Sequence, residues 1–381
     1  AVAGQIVLIE GLGECVVKGA TVVSASAVEG EEPYVFRPLA RSLGVGCTTP
    51  VVRVAIEPLK PSELPKMVEG LRKCNSSYPA LQTRVEESGE HALFGTGELY
   101  LDCVLYDLRE VYAEIEIKVS DPSVSFAESL SETSSVKCFA ESANSRNKLT
   151  LIAEPLEEGL AEAIESGQLS GYFSSDGGAG GDDSLRRAAQ NLLRQKFDWD
   201  LLAAKSLMAF GPDASIGPNV LLDDILPDPV TGVKPPLPPA ARDAIIQGFQ
   251  WATREGPLAD EPVRAVKLRL LGADLADDAF SRAGAQLIPA ARRACYSAIL
   301  TAQPRLLEPV FALELTCPAS CLEAAYRLVA TRRGVVVSDG VLPGTAGCVV
   351  SAVVPVLESF GLETDWRVAT QGLGFVQQWF E

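Results

Sequence analysis

The chain has 381 residues, 47% hydrophobic and 22% charged, which is enough for about two to four domains with a core each. Acids outnumber bases 50 to 33, and the net charge of −17 excludes a surface devoted to gripping long nucleic acid, leaving room only for a local basic patch. No apolar run is long enough to span a bilayer and the amino end lacks a basic-then-apolar signal, so no membrane partner is expected. Nine cysteines without a CxxC pair, Cys317 and Cys321 being the nearest two, fit a reducing cytosolic or nuclear compartment.

Residues 1–46 contain short β-rich runs, Gln5–Glu10, Cys15–Val17, Thr21–Ala25 and Tyr34–Pro38, joined by glycine-rich turns. So few strands make a poor core by themselves. Residues 47–121 read as one βαββαβ unit, the ferredoxin-like order. Val51–Ile56 is a β-branched strand; a helix opens at Lys60-Pro61, with Leu64, Met67, Val68 and Leu71 on one face and Pro65 bending its first turn. Val85–Glu87 and Ala92–Phe94 flank Ser88-Gly89-Glu90 as a hairpin. From Gly97 the period becomes helical, with Leu101, Leu105 and Leu108 on a stripe, and Ile115–Val119 is the last strand.

Residues 122–305 read as a mixed α/β region. Ser123–Ser131, Val136–Glu141 and Lys148–Ala153 are strands, and Glu157–Ser166 is helical. Gly167 to Asp183, which includes SSDGGAGGDD, is too poor in apolar residues to order itself, so 167–183 is expected to be a disordered loop. A helix capped near Ser184 runs through Lys196, Pro227–Pro239 is a proline-rich loop, Ala240–Arg254 is helix, Val266–Leu271 strand and Ile288–Thr301 helix. Residues 306–381 repeat the βαββαβ order. Phe311–Thr316, Val335–Ser338, Cys348–Val354 and Gly374–Trp379 are strands; a helix striped by Leu322, Ala325, Tyr326 and Val329 closes at Gly334, and another runs through Glu363–Val368. The fold class is therefore multidomain α+β.

VEESGEH followed by GTGELYLD, with LKPSELPKMVEGLRK before them, resembles the third domain of the elongation factor two and elongation factor G superfamily. GELYLDCVLYDLR is most similar to its spliceosomal branch, the GTPases of the U5 small nuclear ribonucleoprotein, and the match runs from about Gly4 to Phe375. FDWDLLAA and Phe210-Gly211-Pro212-Asp213 resemble blocks of the fourth domain. The resemblance implies that residues 1–46 are the end of a second-domain β-barrel. It places a third domain at 47–121, a fourth at 122–305 and a fifth, again ferredoxin-like, at 306–381. It also implies that the chain is the carboxy-terminal portion of a longer nuclear protein, whose GTPase domain lies upstream and holds GTP. Its partners would be a large spliceosomal scaffold protein, U5 snRNA and other U5 snRNP proteins, and its role to couple nucleotide state to pre-mRNA splicing. A carboxy-terminal arm of a ribosomal translocase is the alternative. The joints near Pro50, Pro122 and Pro304 are where such an arm would flex.

No catalytic, cofactor or metal site is expected in the chain itself. There is no G-x-x-x-x-G-K-[ST] loop: Gly95-Thr96-Gly97-Glu98 and Gly177–Gly181 lack the lysine that reaches the outer phosphates. The one histidine, His91, sits in the signature hairpin, where packing explains it better than acid–base work. Glu86, Glu87 and Glu90 read as a solvated face rather than a metal cluster. The informative segment is Asp274–Arg293, a loop leading into a helix, which resembles the tip that translational factors insert into the ribosome. In those factors the position of Ser281 is a histidine, modified to diphthamide in the eukaryotic ones; a serine hydroxyl cannot take that modification, which favours the spliceosomal reading. Phe280, Ser281, Arg282, Gln286, Arg292 and Arg293 are the candidate partner-docking residues, and pairing of the arginines to acids such as Asp277 and Asp278 is the competing structural role.

Overall fold

A computed structural model of the chain describes residues 4–11, 16–18, 20, 22, 50–86, 88–169, 183–213, 217–226, 237–342, 344–345 and 347–380. The expected strands Thr21–Ala25 and Tyr34–Pro38, most of the 167–183 loop and most of Pro227–Pro239 lie outside the described residues. Of the first four expected strands, Gln5–Glu10 can be judged, and it is not one. It does not take up regular strand structure, and Ile6 and Leu8 are fully exposed. A β-prone run becomes a strand only when a neighbour takes up its N–H and C=O groups.

By its contacts the chain divides into two units, Ala1–Ser125 with Glu308–Glu381, and Phe126–Leu307. In the first, β1 (Val52–Pro58) is followed by a 3₁₀ turn at Pro61–Glu63 and helix α1 (Leu64–Ser77). Pro65 falls in the helix's first turn, where its missing N–H costs nothing. The buried face of α1 is Met67, Gly70, Leu71 and Cys74; Leu64 and Val68 stay substantially exposed. The inward stripe is thus rotated from the expected one because Gly70 lets the helix approach Ala113 and Leu108, within 3 Å of where a Cβ would sit. Then come β2 (Gln82–Val85), β3 (His91–Gly95), α2 (Glu98–Asp107) ending in a π turn at Leu108–Tyr112, and β4 (Ile117–Val119). All pairings are antiparallel in the order β2-β3-β1-β4, the arrangement a split βαββαβ unit requires. Strand β5 (Ser123–Val124) adds to β1.

The segment 123–131, expected as one strand, is thus divided between two sheets: Ser123–Val124 stays with the first unit, and β6 (Ala127–Leu130) begins the second. Within that second unit β6 pairs with β12 (Pro304–Leu307), so the strands by which the chain enters and leaves lie side by side. Between them run β7 (Cys138–Glu141), β8 (Lys148–Pro155), α3 (Leu160–Glu165), α4 (Asp183–Phe197), α5 (Leu201–Lys205), β9 (Leu207–Gly211), β10 (Asn219–Asp223), α6 (Pro239–Arg254), β11 (Val266–Asp274) and α7 (Gly284–Leu300). The sheet order is β7-β8-β11-β10-β9, with β10 and β11 parallel across the α6 crossover. Leu221 joins one core with α6 and α7, while Val220 and Leu222 join another with α3, α4 and α5. Successive residues of a strand face opposite ways, so this sheet is buried on both faces.

The first unit resumes with β13 (Val310–Pro318), α8 (Leu322–Thr331), β14 (Val335–Val341), β15 (Gly347–Pro355), α9 (Leu362–Thr370) and β16 (Phe375–Phe380), in the order β14-β15-β13-β16. The order is that of the first sheet. After α8 the left-handed residue is Arg333, at φ 56, rather than Gly334. Gly334 is required for another reason: a Cβ there would meet Val354 at 2.6 Å and Val329 at 2.7 Å. The crossings between units fall after Ser125 and after Leu307, a few residues beyond the prolines that mark expected joints at Pro122 and Pro304.

Burial also sorts the thiols. It pushes Cys295 up to about 12, and with nearby Asp107 it pushes Cys74 up to about 11, whereas Cys103 is exposed on α2. With Ellman's reagent at pH 8, Cys103 is expected to react in the folded protein and Cys74 and Cys295 only on unfolding. Mass spectrometry showing early modification of Cys295 would contradict this.

Candidate functional site

Strand β11 runs out of the sheet to Asp274, and residues 275–283 form a loop that turns into α7 at Gly284. The helix begins four residues before the expected Ile288, so Pro289 lies inside it rather than near its start. Phe280 stands 89% exposed at this tip. Ser281, beside it, is buried. Its position is set by Ser142–Asn147, the turn between β7 and β8. Asn144 and Asn147 donate their side-chain amides to the Ser281 carbonyl at 2.9 and 2.8 Å, and Arg146 donates to its hydroxyl at 3.2 Å. Asn147 also accepts from the Ala276 backbone N–H at 3.0 Å and donates to Ser142 Oγ at 3.0 Å. One buried asparagine thus closes both ends of the 276–281 loop. Such fully bonded buried polar clusters rigidify what they hold. The sequence SANSRN gives little sign of this, because Ser, Asn and Arg in a hairpin look like solvent-facing turn residues.

The six expected docking residues do not form one surface. Phe280, Ser281, Arg282 and Gln286 lie together at the tip. Arg282 is half-buried, its N–H bonds the Asp278 carbonyl at 3.2 Å, and among the described residues it makes no ion pair with Asp277 or Asp278. Gln286 has a buried Oε1 with no hydrogen-bond partner among them. Arg292 and Arg293 sit two turns along α7. Consecutive helical positions are about 100° apart, and these two point at different elements. Arg292 pairs with Glu255 at 2.6 Å, donates to the Tyr296 hydroxyl at 2.9 Å and covers the Trp251 ring at 4.0 Å. Arg293 donates to the Glu141 carbonyl at 2.6 Å. Arg292 therefore clamps α7 to α6, the structural role that competes with docking.

Of the remaining sequence candidates, His91, Glu86 and the Gly95–Glu98 turn are taken up by local contacts, Glu90 is exposed, and Gly177–Gly181 lies outside the described residues. His91 is half-buried in β3 opposite Val85 and Ile56. Glu86 is ion-paired with Arg53; Glu87 lies outside the described residues. At Gly95 a Cβ would lie 2.7 Å from Leu101, and Glu98 accepts the Gly361 N–H at 2.7 Å, so the Gly95–Glu98 turn is a junction of the first unit. No group of three His, Cys, Asp or Glu able to hold a metal occurs among the described residues.

Residues 47–120 match the family model for elongation factor G domain III, 183–303 that for domain IV, and 305–381 that for the elongation factor G C-terminus. The chain is 52% identical over 378 residues to the 110 kDa U5 small nuclear ribonucleoprotein component CLO of Arabidopsis thaliana, covering 99% of this chain and 36% of that protein. It is 51% identical to the 109 kDa U5 small nuclear ribonucleoprotein component GFL of the same plant, covering 99% of this chain and 37% of that protein. It is 46% identical to the pre-mRNA-splicing factor cwf10 of Schizosaccharomyces pombe, covering all of this chain and 36% of that protein. The chain thus spans little more than a third of these relatives.

Proposed function

Since the chain belongs to the elongation factor G superfamily, among its U5 small nuclear ribonucleoprotein members, we propose that it is the carboxy-terminal structural and regulatory arm of a spliceosomal GTP-binding protein. The observation that carries this reading is the identity of about half the residues to U5 components, sustained over nearly the whole chain. The arm comprises the end of a β-barrel (1–46), a third domain (47–121), a fourth (122–305) and a fifth (306–381). It acts in the nucleus by mechanical coupling: nucleotide state upstream biases how its domains are disposed, and their disposition biases the particle during splicing. Its partners are a large scaffold protein, U5 snRNA and other U5 proteins.

The tip at Phe280, Ser281, Arg282 and Gln286 is the docking element of this arm. A large exposed aromatic beside an arginine, on a loop fixed by buried amides, suits a rigid contact with protein or RNA. Ser281 stands where the ribosomal factors carry the modifiable histidine, which disfavours the ribosomal alternative. The test is affinity purification of the whole protein with RNA sequencing. U5 RNA is expected to be enriched over ribosomal RNA, and the reverse would sink the proposal. Arg282→Glu is expected to lower recovery of scaffold and U5 RNA with an unchanged melting temperature. Arg292→Glu is expected to lower the melting temperature, since it opposes two acids across the α6–α7 contact. If Arg282→Glu changes neither recovery nor melting, the tip does not dock.

The Gly95–Glu98 turn is taken up by packing and neither glycine-rich run has the phosphate-reaching lysine, so nucleotide binding is assigned to the upstream part. Titrating the 381-residue chain with GTP in a calorimeter is expected to give only heats of dilution. A saturable micromolar site would overturn that assignment.

A further inference from the structure

The four strands of the carboxy-terminal sheet are unusual in charge. None of β13, β14, β15 and β16 carries a lysine or arginine; they carry Glu314 and Asp339. One face of the sheet is core: Phe311, Leu313, Leu315, Val350, Ala352 and Val354 pack with Val329, Leu362 and Trp366. The other face belongs to no core. Its register places Val335, Val353, Ala312 and Trp379 in one row, and Gly340, Val349, Thr316 and Phe375 in another, with Ser338, Ser351, Glu314 and Gln377 between them.

Among the described residues strand β14 is an edge, bonded on one side to β15. Natural edges are guarded by lysine, proline or brevity. This one has seven residues, VVVSDGV, with neither lysine nor proline, and Val335, Val337 and Val341 are 66%, 68% and 70% exposed. A bulge between Val336 and Ser338 is its one irregularity. The two arginines that precede it in sequence are already paired, Arg333 with Glu308 and Glu358, and Arg332 with Asp365.

We infer that β14 receives an extended, basic and apolar segment of a protein partner as an added strand. Backbone groups of β14 that face away from β15 supply the affinity. Alternate side chains of the guest would fall on the two faces. Apolar ones extend the Val335–Val353 row, and basic ones lie beside Asp339, whose carboxylate sits on the helix side of the strand, where it accepts the Tyr326 hydroxyl at 2.9 Å. The same charge pattern argues against RNA on this sheet. Phosphate contacts need lysine or arginine, and the sheet has none.

The test uses the 381-residue chain and three labelled probes followed by anisotropy. They are a nine-residue peptide alternating valine and lysine, the same peptide with proline at two lysine positions, and a nine-nucleotide oligouridine. The alternating peptide is expected to bind at least tenfold more tightly than the proline version, which keeps at least half of the lysines but cannot complete a ladder. Oligouridine is expected to bind no better than the proline peptide. Asp339→Lys and the double variant Val335→Lys/Val341→Lys, at exposed edge positions, should each weaken the alternating peptide at least tenfold with unchanged circular dichroism. Amide exchange should slow within Val335–Val341 when that peptide is present. Equal binding of the two peptides, unchanged exchange at β14, or preference for oligouridine overturns the inference.

Discussion

Replacing Glu128 by alanine is expected to destabilise the Phe126–Leu307 unit by about 3–5 kcal/mol. Glu128 is fully buried, yet among the described residues no cation meets its carboxylate. Backbone N–H groups do: Leu258 donates to both oxygens at 3.1 Å and Ala259 to one at 2.8 Å. Its own backbone is tied to the same loop, donating to Pro262 at 2.9 Å and accepting from Arg264 at 2.8 Å. Gly256 makes room for it, since a Cβ at 256 would sit 2.3 Å from the carboxylate. Alanine removes the acceptor of two backbone donors, hydrogen bonds to a charged group being worth about 1.5–3 kcal/mol each, and leaves a cavity where the carboxylate was. Glutamine is expected to recover only part, because it turns an NH₂ group toward N–H donors in place of one oxygen. Urea unfolding followed by amide exchange in 255–265 measures both. Wild-type exchange there in Glu128→Ala would mean the carboxylate does not hold the loop.

Glu128 also shows what a sequence conceals. In FAESLSE it has the look of a strand's solvent-facing acid, because charge at one position carries no information about which distant N–H groups will meet it. The same holds for Asn147, a turn asparagine that proves to be the buried hub of the tip, and for Arg292, whose partners Glu255, Trp251 and Tyr296 come from two helices. Long-range polar pairing has no period to read.

What has a period was legible. Both βαββαβ units were placed from alternation in strands and three-to-four spacing in helices, within a few residues of the observed limits. Even there the failures are physical. Strand β10, Asn219–Asp223, was missed because both of its faces are buried, so it shows no alternation, and it is short. The inward face of α1 was misjudged because Gly70, which the pattern counts as nothing, is the residue of closest approach. Phe280 was legible as a candidate, whereas the burial of Ser281 depends on a hairpin more than 130 residues away.

Gly374→Ala is expected to cost the first unit about 3 kcal/mol, at the upper end of overpacking effects. The chain leaves α9 through two left-handed residues, Gln371 at φ 54 and Gly372 at φ 81, and doubles back so that Gly374 lies against Trp366. A Cβ at 374 would stand 2.6 to 2.8 Å from three atoms of the indole. Trp366 is wholly buried among the core residues of this unit and, as a rigid bicycle, cannot bend away as a longer flexible chain would. The strain must go into the backbone, displacing β16 from β13. Shrinking the ring gives the matching experiment. Trp366→Phe alone leaves a void, at a cost of about 2 kcal/mol, but it forfeits no hydrogen bond to the described residues, because the indole Nε1 has none. Combined with Gly374→Ala, the smaller ring admits the new methyl, so the double variant should be more stable than the sum of the singles by 1 kcal/mol or more, on the order seen for residues in contact. Urea midpoints of the four proteins decide it. Additive losses would mean that the glycine serves the chain reversal alone, and that contact with the indole does not set where β16 lies.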